Sequence, residues 1–221
     1  VTGPAEHGLT GVADAGAFVA RLVRLDPAAL VRLRPVPEVG WTALWARLPW
    51  GVLVVRTVPG AAPGDVTVAA AELLAELEAG GGALPRRRDD AWRWPLPPAA
   101  SRAVETLPAE DVRRIATAAA GTLREAAAHG VAGRAVGQRA LRDALLDHVA
   151  VVVTPDDAPD APVEVPQRLV QGLVRMGFLG AGDVQVRVAG RWVGLVGPYG
   201  AAWSRKVPEL SLAPAIGRPN G

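Results

Sequence analysis

The residues best suited to chemistry are few and scattered along the chain. Histidine occurs at His7, His129 and His148, and none has a second ligand at the helical or hairpin spacing typical of zinc. Cysteine is absent, which removes thiolate catalysis, disulfides and Cys-ligated metal. The stretch "TPDDAPDAP" offers carboxylates at Asp156, Asp157 and Asp160. It lacks the alternating ligands, central glycine and closing glutamate of a calcium loop. It reads as a solvated loop, and no metal is expected. There is no G-x-S-x-G elbow, and Ser101, Ser204 and Ser211 have no histidine close in sequence. "GGGALP" has no following lysine, and "GFLGAGD" orders its glycines unlike a dinucleotide fingerprint, so no cofactor is expected. No catalytic residue is assigned. An enzyme with a dispersed active site stays open as an alternative, because a triad can be assembled from distant positions.

Basic residues carry the next candidate chemistry. Residues 1–80 hold six Lys/Arg against eight Asp/Glu (net −2), residues 81–148 eleven against eight (+3), and residues 149–221 seven against six (+1). A nucleic-acid binder usually concentrates its positive charge on one element. The one dense run here, "RRRDD" (Arg86 to Asp90), is partly neutralised by its own neighbours. The high isoelectric point reflects in part a chain with a single lysine, Lys206, and abundant arginine. A nucleic-acid alternative is nevertheless legible near the end. "PQRLVQGLVRM" followed by "VQVRVAGRWVGLV" imitates the helix and wing of a winged helix, with Arg187, Arg191, Arg205 and Lys206 on that wing. Against it, an acidic proline loop stands where the preceding helix of a helix-turn-helix belongs.

The aromatic residues point elsewhere. "PWGVLVVR" (Pro49 to Arg56) and "PYGAAWSR" (Pro198 to Arg205) share one frame of proline, aromatic ring, glycine and arginine. Proline and glycine at these positions suit a tight hairpin turn, with Gly51 and Gly200 expected at positive φ. Rings at turn tips are commonly exposed, and aromatics are enriched in binding hot spots. Trp50 and Tyr199 are therefore the candidate binding residues. Trp41, Trp45 and Trp203 read as rings that complete the core of sheets built mainly of Val and Ala.

The elements that must position these turns follow from periodicity. "ADAGAFVARLVRL" spaces Phe18, Val19, Leu22 and Val23 as a helix, with Asp14 expected as N-cap and an end forced near Leu25 by Pro27. "VRLRPV", "WTALWARL" and "VLVVRTV" read as strands. The second copy repeats the order. "VPQRLVQGLVRMGFLG" is a helix stopped at Gly177, followed by "VQVRV", "RWVGLVG", the Pro198 turn and "AAWSRKV". Leu22-Val23-Arg24 matches Leu173-Val174-Arg175.

The expected fold class is α+β. Two degenerate α-β-β-β units, each a small antiparallel sheet with a packed helix, are joined by a helical hairpin. The expected division is an N-terminal α+β unit with a trailing helix at 1–80, where "DVTVAAAELLAELEAGGG" supplies that helix. A Pro/Gly-rich irregular linker follows at 81–106, then the helical hairpin at 107–148, then the C-terminal α+β unit at 149–221. "HVAVVVT" is a further strand that could join one of the sheets.

"LWARLPWGVLVVR", "VPQRLVQGLVRMGFLG" and "RWVGLVGPYGAAWSR" together resemble a group of uncharacterised conserved actinobacterial proteins. The resemblance covers both terminal units and brings no known activity and no site residues.

The reading that results is a non-enzymatic binding or regulatory protein with an aromatic-bearing surface and a protein partner. No apolar run reaches the roughly 18 residues that span a bilayer. The opening "VTGPAEHGLTGVADAG" lacks a basic start followed by an apolar core. The expected location is the cytoplasm, away from any membrane.

Overall fold

A computed structural model describes residues 5–37, 39–129, 138–155 and 160–206. Within them, α1 (Val12–Leu25) buries Ala15, Phe18, Val19 and Leu22 along one stripe. It stops where Pro27 forces Asp26 into an extended conformation (φ −153°, ψ 104°). Its N-cap is Gly11 rather than Asp14; Asp14 sits in the first turn, where its carboxylate pairs with Arg56 at 2.6 Å. The chain then makes a meander of β1 (Leu30–Val36), β2 (Trp41–Arg47) and β3 (Leu53–Pro59).

Residues 66–69, expected to open a helix, instead form strand β4 (Val66–Ala69) alongside β1, with Val31 opposite Val68. The β-branched Val66, Thr67 and Val68 favour a pleated surface, and the helix α2 (Ala70–Glu78) begins only at the alanines. The expected irregular linker also contains a strand. β5 (Arg102–Leu107) pairs with β8 (Val184–Ala189). Two helices follow, α3 (Ala109–His129) and α4 (Gln138–Asp147). β6 (Val149–Val153), which could have joined a main sheet, pairs among the described residues with β7 (Val163–Pro166) in a separate two-stranded sheet.

After β7 comes α5 (Gln167–Arg175), with Pro166 as N-cap. It is stopped as its sequence requires: Gly177 has φ +70°, and the Phe178 N–H donates to the Leu173 carbonyl at 2.9 Å. β8, β9 (Trp192–Gly197) and β10 (Gly200–Arg205) complete the strands of the described residues.

All but β6 and β7 join one antiparallel sheet of order β4-β1-β2-β3-β10-β9-β8-β5. Each half is a three-strand meander flanked by a strand from elsewhere. The seam is β3 against β10, where Leu53 faces Trp203 and Val55 faces Ala201. The main core lies on the helix side of the sheet. Val31, Leu33, Leu44, Val54 and Val58 share one cluster there with Phe18, Val19 and Leu22 of α1, and Val186, Leu195 and Ala202 share it with Leu169 and Leu173 of α5.

A second, smaller core covers the opposite face and takes five of the seven tryptophans; Trp50 packs on the helix side, and Trp41, expected to complete a core, is exposed instead. Leu53, Trp192, Ala201 and Trp203 are buried there, with Trp45, Trp92, Trp94 and Leu96 packed around them. The linker thus lies across the sheet, with Trp92 and Trp94 turned inward and Arg93 exposed between them. Arg32 sits 5.7 Å from the centroid of the Trp92 ring and Arg47 5.0 Å from that of Trp94. Gly194 leaves a flat floor for Trp203, whose ring lies where a Cβ would be, 2.4 Å away.

Candidate functional site

The turn that carries Trp50 is built by Leu48, which accepts a hydrogen bond from the Gly51 N–H at 2.9 Å and donates to Val52 at 2.8 Å. Gly51 has φ +85°, the left-handed conformation that closes such a loop. Trp50 is half-buried and faces α5. Its Nε1–H donates to the Arg168 carbonyl, and the Arg168 guanidinium donates back to the Trp50 carbonyl, both at 3.2 Å. Arg168 also pairs with Asp147 at the end of α4. The ring is therefore fixed against the first turn of α5.

Beside it opens a cleft of about 370 Å³, walled by Leu25, Trp50, Ala119, Leu145 and Leu146. Its polar lining comes from Gln167, Gln171 and Arg175 of α5. A second cleft of about 490 Å³, between α3 and α4, shares Ala119, Leu145 and Gln167 with the first and adds Ile115 and His148. Volumes and lining of this kind are those of ligand pockets: mostly apolar, with a few placed polar groups. Gln167 stands at the junction with 2 % of its surface exposed. Its backbone N–H donates to His148 at 2.8 Å, yet its side-chain Nε2 is buried without a hydrogen-bond partner among the described residues.

Tyr199 occupies a different place. Its turn is a two-residue loop, Pro198-Tyr199, between the paired residues Gly197 and Gly200. Gly200 has φ +153°, and a Cβ there would stand 2.6 Å from the Val55 carbonyl oxygen and 2.7 Å from the Phe178 ring. Tyr199 is 51 % exposed. Arg56 donates to its carbonyl at 2.9 Å and lies 5.7 Å from its ring centroid. A shallow depression of about 550 Å³ joins this ring to exposed Trp41. Because β3 and β10 are antiparallel, Trp50 and Tyr199 stand at opposite ends of the seam. They line two separate concavities rather than one face.

The four basic residues of the nucleic-acid reading divide. Arg187 is held by Ser101, donating from Nε to the hydroxyl at 2.9 Å and from Nη2 to the carbonyl at 2.6 Å. Arg191, Arg205 and Lys206 are exposed and come together at one end of the sheet, where the Lys206 N–H donates to the Arg191 carbonyl and Arg205 is paired opposite Trp192.

The groups with perturbed protonation lie away from both concavities. Hydrogen bonding to Arg32 holds the Asp65 carboxyl below the usual carboxylate range, and Asp65 in turn raises the Arg32 guanidinium. The Thr67 N–H does the same for Asp89, lowering it. These are ion pairs and a capped carboxylate at the β1–β4 edge, an arrangement that holds structure together. Among the described residues, no three His, Asp or Glu side chains gather as a metal site would require. Asp156 and Asp157 lie outside the described residues, and Asp160 is exposed. Sequence reasoning singled out Trp50 but missed Gln167, Gln171 and Arg175. Their spacing of four on one short helix was the available signal.

Two family models divide the chain between them. Residues 96–209 match a domain of unknown function (DUF8185), and residues 8–94 match another (DUF8010). No curated protein matches. Among solved structures, the chain is similar to the DNA polymerase sliding clamp from Caulobacter crescentus (TM-score 0.51, 11 % identity, covering 95 % of this chain and 68 % of the clamp). It is also similar to the DNA polymerase III subunit beta from Pseudomonas aeruginosa (0.53, 14 %, 90 % and 65 %). The DnaN sliding clamp from Bartonella birtlesii, bound to griselimycin, gives 0.54, 14 %, 92 % and 66 %. The chain thus spans about two thirds of the length of these clamps. At such identities the likeness is one of fold.

Proposed function

The chain belongs to the family described as a domain of unknown function (DUF8185), and from that premise we propose that it is a non-enzymatic binding protein whose partner is another protein. The observation that carries this reading is the apolar cleft walled by Trp50, with its polar groups supplied by a single stripe of α5. Concave apolar surface bearing a fixed aromatic ring is where binding energy concentrates. Two supports are weaker. Tyr199 and Trp41 present a second aromatic surface. The fold is shared with proteins named as a sliding clamp and a subunit of a DNA polymerase. A duplicated α-β-β-β unit and a cytoplasmic location belong to the same reading.

The test is a photo-crosslinking residue placed at 171 or 199 in the full chain, expressed in its native host. A discrete covalent adduct with another protein at either position is expected. Irradiation that yields no protein adduct at either position would sink the proposal.

A second reading, contact with DNA, is favoured by the gathering of Arg191, Arg205 and Lys206 at one sheet end. Labelled duplex titrated at two salt concentrations separates the two. A cluster of three gathered cations should bind no tighter than about micromolar at physiological salt. Much tighter binding with a steep salt slope, lost in Arg191→Ala with Arg205→Ala, would promote the DNA reading.

A further inference from the structure

Gln167, Gln171 and Arg175 follow one another at intervals of four on α5, and all three line the cleft beside Trp50. At 1.5 Å rise per residue, that spacing sets the groups about 6 Å apart along the groove. An extended peptide repeats its carbonyl and N–H on one side every two residues, about 6.6 Å. The two amides match that repeat, and each offers both a donor and an acceptor, as a peptide main chain does. The third group is a cation. Arg175 is exposed and makes no ion pair among the described residues, whereas Arg168 on the same helix is engaged by Asp147 and Trp50. Leu25, Trp50, Leu145 and Leu146 give the rest of the lining an apolar character.

Resting on the reading of a protein partner, we propose that this groove takes an extended apolar segment of that partner. Its main chain lies along Gln167 and Gln171, and a carboxylate at one end meets Arg175. The buried Nε2 of Gln167 is the donor that such a segment's carbonyl satisfies. Apolar side chains enter between Trp50 and the leucines of α4, and the acidic group supplies the charge that Arg175 lacks.

The experiment is selection of a random-peptide display library on the full chain, with the enriched peptides then titrated against variants. Enriched sequences should combine spaced apolar residues with an Asp or Glu. Gln167→Leu should weaken them about tenfold, the effect of one peptide carbonyl left unpaired. Arg175→Glu should shift the selected peptides from acidic to basic. Each variant's thermal transition confirms that it is folded. Absence of any enriched family, or enriched peptides that bind Arg175→Glu and the parent chain alike, overturns the proposal. Displacement of the peptides by fatty-acid vesicles, or burial of the groove in a dimer that Trp50→Ala dissociates, overturns it in favour of a lipid or a second copy. Adducts at position 199 with a failed selection would reject this groove alone and leave the protein-partner reading standing.

Discussion

Phe18 of α1 and Phe178, just beyond α5, stack with ring centroids 6.2 Å apart and planes 4° from parallel. Both are fully buried, at 0 % and 1 % exposure. This contact ties the two halves of the molecule on the helix side, as the β3–β10 seam ties them within the sheet.

The first prediction follows from that position. Phe178→Ala should destabilise the chain by about 3–5 kcal/mol, the usual cost of deleting a fully buried aromatic ring. Since the ring bridges both halves, the loss should shift a single cooperative transition. Urea unfolding followed by tryptophan fluorescence and by far-UV circular dichroism would check this. Two separated transitions in the parent chain would show that the halves unfold independently.

The two turn glycines should differ in how much they tolerate. Gly51 has φ +85°, and an added Cβ would touch little beyond the end of Arg47, at 3.4 Å. Gly51→Ala should cost about 1–2 kcal/mol, the strain of the left-handed conformation alone. Gly200→Ala adds a clash with the Val55 carbonyl and the Phe178 ring to an unfavourable φ. It should lower the thermal midpoint further than Gly51→Ala does. Equal midpoints would contradict this account of the seam.

Gln167→Leu should stabilise the free chain. The buried Nε2 lacks a protein partner among the described residues, and such a group costs about 1–3 kcal/mol. Leucine fills similar volume without that cost, so the thermal midpoint should rise even as peptide binding weakens. A marked fall would show that the amide is needed by the fold.

Asp65 predicts the acid limb of stability. Its folded carboxyl titrates below the ordinary value of 3.8 because Arg32 hydrogen-bonds to it. A depressed folded value means that the pair's contribution is fully present above pH 3.8. It is lost as pH falls through the folded value. Asp65→Asn should therefore lie below the parent in stability near neutrality, with the gap closing at more acid pH. Denaturant midpoints measured from pH 7 to pH 2 would reveal it, and a gap constant with pH would refute it.

Local chemistry was legible in the residues themselves. Alternation in "VRLRPV" and "VQVRV" marks half-buried strands, and Gly177 stops a helix because only glycine adopts its φ without strain. The turns at Pro49 and Pro198 follow from proline and glycine within four residues of chain. Each of these outcomes is decided by neighbours in sequence. Asp14 shows the limit at short range: its type suits an N-cap, but the helix begins at Val12, and Asp14 in the first turn pairs with Arg56 from β3.

Tertiary structure alone decided the rest. No local pattern says that β3 pairs with β10, since an antiparallel edge is satisfied equally by any strand of suitable register. That pairing makes one sheet of two halves and sends Trp50 and Tyr199 to opposite ends. The same holds for "WRWPLP", which reads as a linker yet supplies Trp92, Trp94 and Leu96 to the second face of the sheet. Its burial depends on a surface assembled from strands far away in sequence. Gln167 is the clearest case. Its residue type favours solvent, and only the meeting of α3, α4, α5 and β6 encloses it and gives its amide a cleft to serve.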